Sequence, residues 1–140
     1  MAETSQQGAP EHAGGWLLVL CRLLIVFHPL SLAVTASSVM NALFLRGAPV
    51  AIVLLLRLSV VALGVAAGRM LQNVRPGAVD VARVALLASA ALDVFVYTTP
   101  YFPSNRMPGD TTYYVIASLV YHVGWIAYLA RSKRVRATFA

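Results

Sequence analysis

Four apolar stretches, each near the ~20 residues that span a hydrocarbon core, leave this chain little room for anything but a membrane fold. They run from about 16 to 40, 48 to 71, 79 to 98 and 111 to 130. None alternates apolar and polar residues with period two, so the stretches read as helices and a β-barrel is excluded. The connections are short and carry turn residues: 41–47, 72–78 with Pro76-Gly77, and 99–110 with Pro100, Pro103, Pro108 and Gly109. Residues 1–14 are polar, contain Gly and Pro and show no apolar period, so they read as a disordered cytoplasmic tail. The expected fold is all-α, a polytopic four-transmembrane-helix bundle over residues 15–140 with a short basic C-terminus.

Composition supports this. Hydrophobic residues make up 59% of the 140 and charged residues 11%, against about a quarter charged in soluble domains. The net charge of +6 is concentrated rather than spread: Arg131, Lys133, Arg134 and Arg136 follow directly on the last apolar run. That is the place of a cytoplasmic anchor. Nothing offers the basic face with interleaved aromatics that nucleic acid requires. The orientation follows from the same residues. With both ends inside, Arg69, Arg75, Arg131, Lys133, Arg134 and Arg136 are cytoplasmic and only Arg46 and Arg106 are outside, so N-in/C-in is expected. Trp16 and Phe139 then lie at the inner interface, and Tyr101, Phe102, Tyr113 and Tyr114 at the outer one. The first fifteen residues hold Glu3 and Glu11 but no Lys or Arg. The first helix is therefore expected to stay rather than to be cleaved as a signal peptide. The lone Cys21 forms no intrachain disulfide and reads as a small buried apolar residue.

Charges inside the spans need partners, since each costs at least ~2.5 kcal/mol at the bilayer centre. Arg57 lies mid-way along the second stretch and Asp93 well inside the third. The second stretch carries Gly64 and Gly68, a small-residue pattern that lets helices approach closely; Ala82, Ala85, Ser89 and Asp93 share one face of the third. Setting Gly68 opposite Ala82 in an antiparallel pair brings Arg57, eleven residues back, level with Asp93, eleven residues on. An intramembrane Arg57–Asp93 pair is expected, either fixing helix register or marking an ion or proton path. The same level-matching puts His28, Ser89 and His122 at similar depth with Tyr121 beside them, a polar layer about one turn from the pair. Pro29 should kink the first helix and free the Ile25 carbonyl. The histidines read as hydrogen-bonded core residues or, alternatively, as proton carriers. Two histidines without a third ligand do not make a metal site.

Arg22 and Arg83 come out level near the inner surface, with Asp80 one turn from Arg83. Together with Arg131, Lys133, Arg134 and Arg136 they read as positive-inside anchoring that can also contact anionic lipid head groups. No nucleophile elbow, metalloprotease motif or phosphate loop is present. No catalytic residue and no cofactor is expected.

Two segments carry a resemblance. Gly14-Gly15-Trp16-Leu17 opens the first helix, and Tyr128 through Phe139, with Ser132, Arg134, Val135 and Thr138 at fixed spacing, closes the chain. These ends resemble the bacterial four-span membrane proteins grouped as domain-of-unknown-function family 2569, over about residues 14–140, the middle matching mainly in hydrophobic pattern. The resemblance implies four spans, a bacterial inner membrane and no catalytic residues. The functional expectation is a non-enzymatic accessory or interaction protein with a membrane-protein partner or a second copy of itself, working through helix faces and loop 99–110. The alternative is a small proton- or ion-coupled transporter using Arg57, Asp93, His28 and His122.

Overall fold

Residues 14–103, 107 and 109–139 are described by the structure, a computed structural model. The tail expected over 1–14 therefore lies, except for Gly14, outside the described residues, as do Arg106 and the centre of loop 99–110. The described residues form helices and turns without a strand. Helix α1 runs Trp16–Arg46, α2 Ala48–Gln72, α3 Ala78–Thr98, α4 Thr111–Arg131, and the short α5 Lys133–Phe139. Three of these (α1, α2 and α4) are long and apolar enough to cross a membrane. Helix α3 matches α4 in length but carries Asp80, Arg83 and Asp93.

The turns follow from single residues. The connection expected at 41–47 is helical up to Arg46, and the reversal is made by Gly47 alone, at φ 64° and ψ −133°. That conformation is open only to a residue without a side chain. Pro49 in the first turn of α2 has no N–H to waste there. Arg46 Nη1 then donates to the Pro100 carbonyl at 3.1 Å, tying this turn to the segment after α3. At the other end of the molecule Gly77, at φ 76°, leads into α3.

Pro29 does not produce a simple kink. The preceding segment, Leu23–Phe27, widens into a π-turn, and the His28 N–H reaches back to the Leu23 carbonyl. A proline removes one donor from the ladder, and a π-bulge is one way a helix absorbs the loss without breaking.

The helices pack antiparallel in a row, α1 on α2, α2 on α3 and α3 on α4. Two apolar clusters hold them. At the end that carries both termini, Leu17, Leu20, Cys21 and Leu24 of α1 meet Leu71 of α2, Ala82 and Leu86 of α3, Leu129 of α4 and Val135 of α5. At the loop end, Val39, Val50, Val53, Val96 and Phe102 join α1, α2 and α3 but include nothing from α4. Phe102 is 3% exposed in that cluster.

The expected facing of Gly64 and Gly68 on Ala82 and Ala85 is corrected. A Cβ at Gly68 would stand 2.8 Å from Ile25 Cγ1, 3.1 Å from Leu24 Cβ and 3.2 Å from the Cys21 carbonyl; one at Gly64 would be 3.6 Å from His28 Nδ1. At both glycines the nearest atoms belong to α1. The atoms met at Gly68 belong to Cys21, Leu24 and Ile25, where α1 enters the π-turn at Leu23–Phe27, and close approach there needs a partner surface without side chains. Ala82 and Ala85 are buried in the terminal-end cluster all the same.

The C-terminal segment is a folded element, the helix α5. Ser132 ends α4 in an extended conformation, and its hydroxyl accepts from the Val135 N–H at 3.4 Å, capping α5. Val135 is buried, Phe139 packs on the terminal-end cluster, and Thr138 donates to the Arg134 carbonyl at 2.9 Å. Arg134 turns toward the start of the chain, where a Cβ on Gly14 or Gly15 would stand 2.7 or 2.8 Å from its guanidinium nitrogens. The two terminal segments that carry the family resemblance thus touch each other.

Candidate functional site

Between the two apolar clusters the row of helices is open on one side. Helices α1 and α4 stand at its ends and scarcely approach each other above the terminal-end core. The gap is a cleft of about 290 Å³, near the lower limit of ligand pockets, ~300 Å³. Phe27, His28 and Ser31 of α1 and Tyr114, Ser118, Tyr121 and His122 of α4 form its walls; Arg57 of α2 and Ser89 and Asp93 of α3 form its floor. The pair and the polar layer expected from the sequence, His28, Ser89, Tyr121 and His122, therefore line one cavity.

The charges are joined to each other and to α4. Arg57 Nη2 donates to Asp93 Oδ1 at 3.3 Å, with 16% and 27% of the two side chains exposed. The Phe102 ring lies 5.4 Å from the guanidinium carbon, a distance at which a ring face attracts a cation. The second carboxylate oxygen of Asp93 accepts from Ser118 Oγ at 2.9 Å. His122 Nδ1 stands 2.8 Å from the Ser118 carbonyl and 3.3 Å from its hydroxyl. A carbonyl only accepts, so Nδ1 carries a ring hydrogen. The Tyr121 ring stands edge-on to His122 at 5.0 Å. Arg57, Asp93, Ser118 and His122 form one continuous hydrogen-bonded line across three helices.

Donors are left over at this site. Arg57 Nε and Tyr121 Oη are buried without a hydrogen-bond partner among the described residues. Both can donate, whereas each Asp93 oxygen already accepts. No group of three or more metal-ligating side chains occurs among the described residues.

Ser118 is the member of this site that the sequence reading passed over. The level that pairs Ser89 with His122 also pairs Asp93 with Ser118, one turn up each of the two antiparallel helices, so the signal was present. Phe102 had no such signal, because its burial depends on how the segment after α3 folds back.

The basic residues expected at the inner interface divide. Arg83 and Arg136 line a second cleft, of about 470 Å³, between α3, α4 and α5. Arg83 Nη1 bonds Asp80 Oδ1 at 3.2 Å. Arg22, Arg131 and Lys133 are exposed and do not line it.

All-helical, with three helices fit to cross a bilayer, the chain has the make-up of a helical membrane protein. Its surface agrees: Val26, Leu30 and Val34 of α1, Ile52, Leu55 and Leu58 of α2, and Ile116, Val120 and Val123 of α4 are all exposed. In water that would be an apolar patch far beyond the usual size; against lipid it is the normal exterior. Comparisons with protein-family models, with curated proteins and with solved structures found no match.

Proposed function

We propose that this chain is a four-span protein of the bacterial inner membrane, with both termini in the cytoplasm, that works without catalysis as an accessory or interaction protein. In this reading α3 crosses the bilayer beside the other three helices, its charges turned to α2, α4 and the cytoplasmic boundary. The resemblance to domain-of-unknown-function family 2569 is part of the same proposal. The observation that carries it is the side-facing cleft itself, open between α1 and α4 and lined by Arg57, Asp93, Ser118 and His122, which suits a polar group presented from within the membrane. Leu17, Leu20, Leu24, Leu86 and Leu129 close the terminal end below it, which favours a docking site over a through-path.

Orientation and docking are tested separately. Reporter fusions at residue 140 and within loop 99–110 are expected to read cytoplasmic and periplasmic in that order, from the six-to-two basic asymmetry. A periplasmic signal at residue 140 overturns the orientation. For docking, Ala117 lines the cleft on α4, and Ala117→Trp fills it while leaving both apolar clusters untouched. Co-purification of the membrane partner in mild detergent is then expected to be lost with Ala117→Trp, and with replacement of loop 99–110 by an unrelated linker. Retention in both variants refutes the docking role.

One observation favours a second reading, proton-coupled transport: the line Asp93–Ser118–His122, with His28 across the cleft. Protein reconstituted in liposomes would then carry a proton flux that falls in His28→Ala and His122→Ala. Wild-type liposomes no leakier than empty ones exclude it.

A further inference from the structure

The cleft between α3, α4 and α5 gathers charge and apolar surface in the order an amphiphile presents them. Arg83 and Arg136 stand at its rim, while Val79, Leu129, Val135 and Phe139 form its walls. Val84 and Leu87 continue from it along α3 on the stripe that starts at Asp80, and both are exposed, 56% and 58%. Charge therefore lies at the helix ends and uninterrupted apolar surface lies above it, toward the middle of the bundle.

We infer that this cleft is a specific site for one anionic phospholipid, its phosphate held by Arg83 and Arg136 and an acyl chain lying along Val84 and Leu87. The bond that Arg83 donates to Asp80 uses one of the five guanidinium donors, leaving others to match phosphate oxygens. Asp80 lines the same cleft, but its side chain is 80% exposed, so water screens its repulsion of the phosphate. A soluble anion would use the two arginines but not the apolar walls; a lipid uses both. The remaining cations are placed differently. Arg134 lies against Gly14 and Gly15, and Arg131 and Lys133 do not line the cleft. Diffuse attraction to an anionic leaflet would draw on all of them alike, whereas a built site draws on two.

Native mass spectrometry of the full chain from mild detergent, titrated with phosphatidylglycerol or phosphatidylcholine, tests this. Wild type is expected to hold one phosphatidylglycerol in preference to phosphatidylcholine. Arg83→Gln with Arg136→Gln is expected to weaken that binding about thirtyfold, or about 2 kcal/mol at roughly 1 kcal/mol per arginine. Arg131→Gln with Lys133→Gln is expected to keep it within about twofold, since only general attraction is removed. Ala130→Trp, which fills the cleft without touching a charge, is expected to lose the lipid too, and it keeps the test valid if the arginine variant misfolds. Equal loss in the two charge-neutralised proteins, equal retention of phosphatidylcholine, or retention in Ala130→Trp each overturns the site. So does inorganic phosphate competing as well as the lipid. None of these readouts depends on the cleft between α1 and α4.

Discussion

Gly68→Val is expected to separate α1 from α2 and to lower the stability of the bundle by about 3 kcal/mol, the upper end of the usual cost of overpacking. The first added carbon alone would stand 2.8 Å from Ile25 Cγ1 and 3.1 Å from Leu24 Cβ. The Ile25 atom can swing aside, but the Cys21 carbonyl at 3.2 Å is backbone, next to the π-turn that Pro29 imposes. It moves only if α1 moves. The two further methyl groups of valine leave no other course. Gly64 makes the control, because its nearest neighbours, His28 Nδ1 and Leu24 Cδ2, lie at ordinary contact distances of 3.6 and 3.7 Å. Gly64→Ala is expected to keep stability or raise it by up to about 1 kcal/mol, the helix-propensity gain of Ala over Gly. Thermal unfolding of both variants in one detergent separates the two positions. Equal damage at both would mean that close approach at Gly68 is not what joins these helices.

That contrast shows where sequence reading succeeds and where it stops. Helix positions were legible because apolar runs of this length have few alternatives, and the ends of α3 and α4 fall within a residue or so of those expected. The end of α1 was not: Asn41 through Arg46 contains no helix breaker, and Gly47 alone makes the turn. The level of Arg57 with Asp93 was legible from an antiparallel register, although the glycines used to set it have their nearest atoms on α1. A register depends on turn length and rise per residue, which the α2–α3 turn supplies whatever the small residues face. Which neighbour a glycine stripe meets depends on the packing of the other helices, here α1 where it enters the π-turn at Leu23–Phe27. The cleft itself could not be read from the chain, because it arises where α1 and α4 fail to close and no local pattern encodes that gap. The motif at the C-terminus was visible as spacing; only the structure gives Ser132, Arg134, Val135 and Thr138 their separate tasks of capping, reaching the N-terminus, filling the core and bonding back.

Asp93→Ala is the second change expected to have a large effect, and the ion pair shows how large. Removing one partner of a buried pair costs about 3–5 kcal/mol, because the remaining charge is left in a poor solvent. In this site the remaining charge is Arg57, 16% exposed, flanked by a cleft lined with hydroxyls and by the Phe102 ring. Those groups solvate a cation in part, so the lower end, about 3 kcal/mol, is expected. The same substitution strips Ser118 of its acceptor, and His122 keeps only its bonds within α4. Ser118→Ala, by contrast, leaves both charges paired and is expected to cost about 1 kcal/mol. Replacing both charges together, Arg57→Met with Asp93→Leu, removes the stranded cation and is expected to restore most of the lost stability. The three proteins then separate structure from function. If the doubly substituted bundle regains its stability and still captures its partner, the pair serves register alone. If it regains stability and loses the partner, the charged groups of the pair are what the partner reads. Wild-type stability in Asp93→Ala would show that the pair contributes nothing to holding α2 against α3.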